Sequence, residues 1–395
     1  MMSVERVGRY RYLVIGVVWL TLCVAAFDRT AVSLLLADPG FLGDMRLEGS
    51  PERQGLVMTM LLLPYALSNI FLSPTADRWG PRKVLSTMAA LWCAAALLLG
   101  AAWSYSVLLV GRAARGLAEG PLFPVANRYV RYWFPPSEWG GANAIWTSGQ
   151  RLGLAISVPL LAMVIAAFGW RSSFLLLALL ALVMVLPTVW FLAGDRPEVT
   201  RRVGERERDY IVKGRQATRV GSAGWRRDLP ELLRNDRFWL AVIHHFAVLA
   251  VYFGLVTWLP KYLREARGFE VAQMVLYASL PHLFSTLSGL AFGFVSDRFG
   301  RRAIFCTLSL AGAGASVLLA ALAPDATASA LLMILGFGVW GAGSPAYYAI
   351  MQRIVPSHMM ATGIGIDNGL ANFGSALAPT VVGLLIGATG SYLAG

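Results

Sequence analysis

Ser73-Pro74-Thr75-Ala76-Asp77-Arg78-Trp79-Gly80-Pro81-Arg82-Lys83 closes one apolar run, and Gly293-Phe294-Val295-Ser296-Asp297-Arg298-Phe299-Gly300-Arg301-Arg302 closes another in the second half of the chain. The order Asp-Arg-aromatic-Gly, followed by further basic residues, therefore occurs twice at equivalent places. Gly80 and Gly300 permit a tight turn. Arg78, Arg82, Arg298 and Arg301 can hold Asp77, Asp297 and nearby helix ends in a charge network that must break when two repeated halves rock. Basic decoration of a membrane edge would not require the same order twice.

The chain around this pair is 57% hydrophobic and 14% charged over 395 residues, with a mean hydropathy of +0.59. Such a composition excludes a soluble domain and places the chain in a lipid bilayer. A bilayer core about 30 Å thick needs roughly 20 apolar residues per helix. Runs of that kind recur about eleven times: Tyr12 to Leu36, Gly55 to Ser73, Val84 to Trp103, Val107 to Val130, Ala142 to Phe168, Phe174 to Leu192, Phe238 to Leu259, Ala272 to Val295, Ala303 to Leu322, Ser329 to Ile350 and Ala361 to Ile386. The first run continues through Asp28 and Arg29 with no small-residue cleavage pattern, so it is a retained span rather than a signal peptide. Residues 1–194 are expected to form a six-helix bundle, 195–237 a cytoplasmic basic linker and 238–395 a second bundle with five visible spans.

The net charge of +12 is spread between apolar runs rather than gathered on one patch, which argues against nucleic acid and for orientation signals. The basic N-terminus, the Arg78 to Lys83 and Arg298 to Arg302 breaks and the 195–237 stretch fall on one side, the cytoplasmic one. The acidic Asp38 to Glu52 loop falls on the other. Cys23, Cys93 and Cys306 lie apart within apolar runs, without paired or metal-like spacing, and are read as small core residues.

The repeated stretch resembles the signature of the major facilitator superfamily, and the resemblance extends over essentially the whole chain. Arg112, Gly116 and Gly120 match a second signature of that superfamily in the fourth span. Ser73 departs from the Gly with which the family motif begins. The resemblance implies an all-α membrane protein with two helical bundles around a central cavity and transport by alternating access. It also implies a twelfth span, which the sequence does not contain before Gly395; its place is expected to be vacant through truncation or filled from elsewhere.

Ionisable groups inside spans cost several kcal/mol and usually face a cavity. Here they are Asp28 and Arg29 in the first span, Arg112, Arg115 and Glu119 in the fourth, Arg151 in the fifth and Asp367 in the eleventh. The spacing of Arg112, Arg115 and Glu119 puts them on one helix face. A carboxylate as deep as Glu119 favours its protonated form, as a proton carrier requires; the alternative is a buried pair with Arg115 or Arg112 that only fixes packing. Asp28 is either a second proton-linked group or a counter-ion to a neighbouring cation. Arg29 is the best anion ligand, because a guanidinium grips a carboxylate through two parallel bonds; the alternative is snorkelling to the interface. Tyr65, Gln150, Ser344, Asn368 and Asn372 complete a site suited to a hydroxylated substrate, although each can also serve as helix glue. His244 and His245 are read as interfacial residues rather than proton relays.

Within the superfamily, the chain is similar to the anion:cation symporters, which include hexuronate and galactonate carriers. The residues that carry this are Phe27-Asp28-Arg29-Thr30, Arg112 with Ala118-Glu119-Gly120-Pro121 and Phe123-Pro124, Trp133-Phe134-Pro135, Thr147-Ser148-Gly149-Gln150 and Thr257-Trp258-Leu259-Pro260-Lys261-Tyr262-Leu263. The resemblance implies that Arg29 and Tyr65 contact substrate, with Gln150 and Asn368 as further ligands, and that Asp28 and Glu119 are proton-linked. It implies proton-driven import of a small organic anion, a sugar acid or other carboxylate, by a monomer in a bacterial inner membrane, with no cofactor. Arg151 departs from the uncharged residue more common there and admits a cargo with a second negative charge.

Rival functions are an organic anion or phosphate-ester exchanger and a membrane sensor that keeps the fold without transport. Phe238 to Leu259 lacks the Arg expected of a sugar-phosphate exchanger, and Gly149 to Leu161 lacks the Gly-Pro-Gly-Gly pattern of drug:proton antiporters. An enzyme is disfavoured, because His244, His245, His282 and His358 form no metal or triad spacing and no glycine-rich nucleotide loop is present. The charge asymmetry predicts that single cysteines introduced at Glu48 and Glu205 react with membrane-impermeant reagents from opposite sides; reaction from the same side would contradict this topology.

Overall fold

The computed structural model describes residues 8–35, 38–48, 51–216, 225–376 and 378–389, and every regular element among them is helical. Each of the eleven apolar runs lies largely in helix; Leu36, the expected end of the first, and Gly395 fall outside the described residues. The first three spans are Tyr10–Leu35, Pro51–Phe71 and Pro81–Gly100. The fourth is divided into Tyr105–Glu119 and Leu122–Trp133, because Pro121 removes a backbone donor where the ladder would continue. The fifth is Trp139–Phe168. The sixth joins Arg171–Leu180 to Leu186–Leu192 through a π turn at Ala181–Val185, just before Pro187. The later spans are Asp236–Lys261, Val271–Phe299, Arg302–Leu322 and Ala326–Ile354, and the eleventh is Met360–Ser375 followed by Ala378–Thr389.

Six of these helices are long and apolar enough to cross a bilayer by themselves, and a seventh is reached if Pro136–Ser157 and Pro159–Phe168, bent by 40°, count as one. The fourth span falls short for two visible reasons, its break and the charges of Arg112, Arg115 and Glu119. Irregular or charged segments of this kind are tolerated at membrane depth only where protein surrounds them. All three of these charged side chains are buried.

The first span packs on the fifth, the second on the fourth, and the third on the fourth and sixth. The seventh packs on the eleventh, and the tenth on the eighth and ninth. Contact between the first six spans and the last five runs chiefly through the second against the eleventh and the fifth against the eighth. These two pairs exchange places if the halves are swapped, so the sequence repeat is also a repeat of packing.

The repeated aspartates close one end of this seam. Asp77, after the second span, accepts hydrogen bonds from the backbone N–H of Ala361 (3.1 Å) and Thr362 (2.7 Å) and from the Thr362 hydroxyl (2.6 Å), all at the start of the eleventh span. Asp297, in the last turn of the eighth, accepts from the N–H of Gly140 and Gly141, both at 2.8 Å, at the start of the fifth. Each carboxylate thus satisfies orphan donors at the positive end of a helix in the opposite half. Among the described residues Arg128 of the fourth span pairs with Asp77 and Arg302 with Asp297 at 2.8 Å, whereas Arg82, Arg298 and Arg301, expected from the motif, pair with neither aspartate. Arg82 instead offers its backbone N–H to Asp195 at 2.9 Å. Gly80 and Gly300 adopt φ of +91° and +67°, a region that favours glycine.

The same end carries the start of the first span and the described parts of the 195–237 stretch, residues 195–216 and 225–237. Glu207 accepts from the N–H of Tyr10 and Arg11, both at 3.0 Å, and Arg11 reaches Glu138 at 3.1 Å. That stretch contains two helices, Glu205–Gln216 and Trp225–Leu233. At the other end Asp44 accepts from Trp170 (3.0 Å) and Arg171 (2.5 Å), and these donors hold its carboxyl below the usual carboxylate range.

If the two aspartate caps open together, Asp297→Ala accelerates amide exchange at Gly140 and Gly141 and also at Ala361 and Thr362, each by about tenfold or more, since a charge-assisted hydrogen bond contributes roughly 1.5–3 kcal/mol. Hydrogen-exchange mass spectrometry reads both segments; acceleration at Gly140 and Gly141 alone would show two independent caps.

Candidate functional site

A cavity of about 90 Å³ lies between the halves, room for roughly half a dozen waters and so for a compact solute. Arg29, Tyr65, Gln150, Ser344, Asn368 and Asn372 all line it. The close approach that sets Tyr65 comes from the fourth span: a Cβ on Gly116 would lie 2.2 Å from the Leu61 carbonyl oxygen, and one on Gly120 would lie 2.7 Å from that of Tyr65. With no side chain there, the second span seats directly on the fourth. Arg29 stands over the Tyr65 ring, 5.4 Å from its centroid. Asn368 donates to the Tyr65 hydroxyl (3.1 Å) and to Asn69 (2.8 Å), and Asn372 donates to Asn368 (3.0 Å between side chains). Tyr65 and Asn368 thus meet across the contact between the second and eleventh spans.

Asp28 and Glu119 sit one layer behind the cavity wall, and ion pairs through both tie the first span to the fourth. Arg112 donates to Asp28 at 2.9 Å, and Arg115 lies 3.5 Å from the same carboxylate. Glu119 pairs with Arg29 at 3.1 Å and reaches Arg115 only at 3.9 Å. Arg112 is therefore the counter-ion of Asp28, not of Glu119. Sharing a face on one helix left open which neighbouring helix would supply each partner, and the first span supplies both. Arg29 remains the most exposed member of the group, its side chain 22% accessible.

Arg151 also lines the cavity. It is buried, yet among the described residues no carboxylate pairs with it. Its guanidinium donates to the Ser285 carbonyl at 3.4 Å and lies 5.2 Å from the Trp340 ring centre, and Trp340 stacks on Tyr252 at 4.9 Å. Tyr252 lines the cavity together with Arg29 and Arg151, so the two guanidiniums address the same cavity.

His244 and His245 are not interfacial. Both line the cavity with His282, and His245 is hydrogen-bonded to Asp367 at 3.0 Å. They were missed because they were weighed as a pair near a helix end. The signal was the spacing of His245, Val248, Leu249 and Tyr252, which all line the cavity and recur at i, i+3, i+4 and i+7. On the tenth span Trp340, Gly343, Ser344, Tyr347 and Tyr348 line the cavity at the same helical spacing, and of these the sequence singled out Ser344 alone. Among the described residues no group of three or more His, Cys, Asp or Glu is placed to hold a metal.

Between the cavity and the aspartate caps lie two further layers. Phe123 and Tyr348 pack on Trp146 at 5.3 and 4.9 Å. Beneath them Gln352 of the tenth span donates to Asn127 (2.9 Å) and Asn143 (3.0 Å) in the opposite half. All three amides are fully buried. A solute in the cavity is thus separated from one face by aromatic rings, a satisfied amide network and the two caps.

The family model for the Major Facilitator Superfamily matches residues 18–379. The probable sulfoacetate transporter SauU of Cupriavidus necator is 32% identical over 394 residues, covering 97% of this chain and 89% of that protein. The hexuronate transporter of Bacillus subtilis is 27% identical, covering 92% and 85%. In fold, the Escherichia coli fucose:proton symporter FucP superposes with a TM-score of 0.75 at 14% identity, covering 98% of this chain and 95% of that one. Two helical bundles repeated in sequence, capped reciprocally by their own aspartates and enclosing a solute-sized cavity, agree with these matches along the chain, which belongs to the Major Facilitator Superfamily and is a multi-pass membrane transporter rather than an enzyme.

Proposed function

We propose that this chain imports a compact organic anion bearing two negative charges, coupled to protons, across a bacterial inner membrane with its N-terminus in the cytoplasm. The observation that carries this reading is the pair of guanidiniums on one cavity wall, Arg29 and Arg151, the second with no carboxylate paired to it. A buried cation without an anion is costly, and a substrate anion removes that cost when it binds. Sulfoacetate, the cargo named for one relative, bears a sulfonate and a carboxylate, and its size suits a cavity of about 90 Å³.

Coupling follows from the competition for Arg29. An arriving anion displaces Glu119 from Arg29, and the displaced carboxylate, left in a poorly solvated place, takes a proton. By reciprocity, protonation of Glu119 frees Arg29 for the anion. Asp28, held by both Arg112 and Arg115, keeps those cations in position. Tyr65, Gln150, Ser344, Asn368 and Asn372 orient the cargo. The two caps close the cytoplasmic end, and their rupture, as the halves rock, opens it.

Binding and flux with purified protein in liposomes test this. Arg151→Gln weakens sulfoacetate binding by about a hundredfold, since a charge-assisted contact contributes roughly 1.5–3 kcal/mol, and changes binding of the monoanion glucuronate much less. Arg29→Ala abolishes binding of both. Glu119→Gln retains exchange but loses accumulation driven by a pH gradient. Equal loss for the two anions in Arg151→Gln would refute the second-charge assignment, and accumulation by Glu119→Gln under a proton gradient alone would refute its coupling role.

A further inference from the structure

The C-terminal half holds a buried titratable cluster that the coupling described above does not use. Asp367 of the eleventh span is fully buried, and among the described residues no Lys or Arg pairs with it. Its two oxygens take a hydrogen bond from the Tyr347 hydroxyl (2.7 Å) and face Nδ1 of His245 (3.0 Å). An ionised carboxylate only accepts, so Nδ1 carries the hydrogen and Nε2 is the nitrogen left to bind a proton. His245 is a wall residue of the same cavity that Arg29 and Arg151 line.

We infer that His245, positioned by Asp367 and Tyr347, is a second proton-binding site of the transport cycle, taking its proton at Nε2 when the cargo enters. The inference rests on the dianion reading for its charge balance. Three guanidiniums, Arg29, Arg112 and Arg115, face the carboxylates of Asp28 and Glu119, which leaves one positive charge, and Arg151 adds a second. Asp367 cancels one of these while His245 is neutral and ceases to do so when His245 is protonated. Protonation of Glu119 alone raises the excess from one to two, the charge of a dianion, and protonation of His245 adds one more, so each proton strengthens the field that draws the anion in. Anion and proton favour each other's binding, and deprotonation of His245 toward the cytoplasm helps expel the cargo.

The groups facing His245 are consistent with this role. On its own helix His244 also lines the cavity, 5.6 Å from the Tyr347 ring. The tenth span presents Tyr347 and Tyr348, 4.8 and 6.2 Å from the His245 ring. From the eighth span His282 lines the same cavity as Arg151, and on the ninth Cys306 is buried against the Gly343 carbonyl, 3.7 Å away. The eleventh contributes Asp367 alone among titratable groups, beside the amides of Asn368 and Asn372. Asp228 of the Trp225–Leu233 helix pairs with His358 at 2.9 Å. Asp367 is thus the only carboxylate among the described residues that pairs with His245.

The test uses the full chain carrying ¹⁵N-labelled histidine, without cargo, with the His245 resonances identified by their loss in His245→Gln. At a pH of about 8.5 the ring is expected to be hydrogenated at Nδ1 only, and at about 5 at both nitrogens, within the range where histidine charges. In Asp367→Asn the doubly protonated form is lost or greatly reduced at the lower pH. A ring hydrogenated at Nε2 at high pH, no second proton at low pH, or no effect of Asp367→Asn would overturn the assignment. In liposomes, His245→Gln lowers the protons moved per sulfoacetate by about one, and an unchanged ratio would also overturn it. If sulfoacetate is not carried, the dianion reading fails while the spectra still decide whether His245 is the proton site.

Discussion

A guanidinium buried at membrane depth needs an anion beside it or a strong reason to lack one, and this constraint organises the molecule. Arg112 and Arg115 are held by Asp28, Arg29 by Glu119, Arg128 by Asp77 and Arg302 by Asp297. The first two carboxylates lie at the cavity and the last two at the closed end. Arg151 stands apart among the cavity arginines, resting on a backbone carbonyl and a Trp ring. Among the cavity arginines it alone has no carboxylate paired with it within the described residues, which is the property expected of a group that waits for cargo.

The pairs also divide the protein into parts that hold and parts that exchange. Asp28 bridges two buried cations on another helix and is costly to disturb. On the proposed function Glu119 shares Arg29 with the cargo. Asp77 and Asp297 join helix ends across the seam between the halves. If that end opens, water replaces these bonds on both partners, and the difference between the two states stays small enough for cargo and protons to bias.

Much of this was legible in the sequence. Apolar runs marked the helices, since the bilayer fixes their length, and the duplicated Asp-Arg-aromatic-Gly order marked both aspartates and both positive-φ glycines. All six residues expected to line a site do line one cavity, because charged and amide groups within spans have few other places to go. Pairings were not legible. Asp77 meets Thr362 from 285 positions away and His245 meets Asp367 from 122, contacts set by how each helix is rotated against its neighbours. Spacing on the fourth span alone therefore left Glu119 to pair with Arg115 or Arg112; Arg115 does lie 3.9 Å from it, but the shorter partner, Arg29 at 3.1 Å, comes from the first span. The histidines were misjudged for a similar reason, since position near a helix start says little about which face turns inward.

The most direct test of the account is a structure of the chain with sulfoacetate bound, the sulfonate located by anomalous scattering from its sulfur. The clamp of two cations predicts one anionic group on Arg29 and the other on Arg151, with Glu119 released from Arg29. Both groups on Arg29, with Arg151 still against Ser285 and Trp340, or an empty cavity at saturating sulfoacetate, would contradict it.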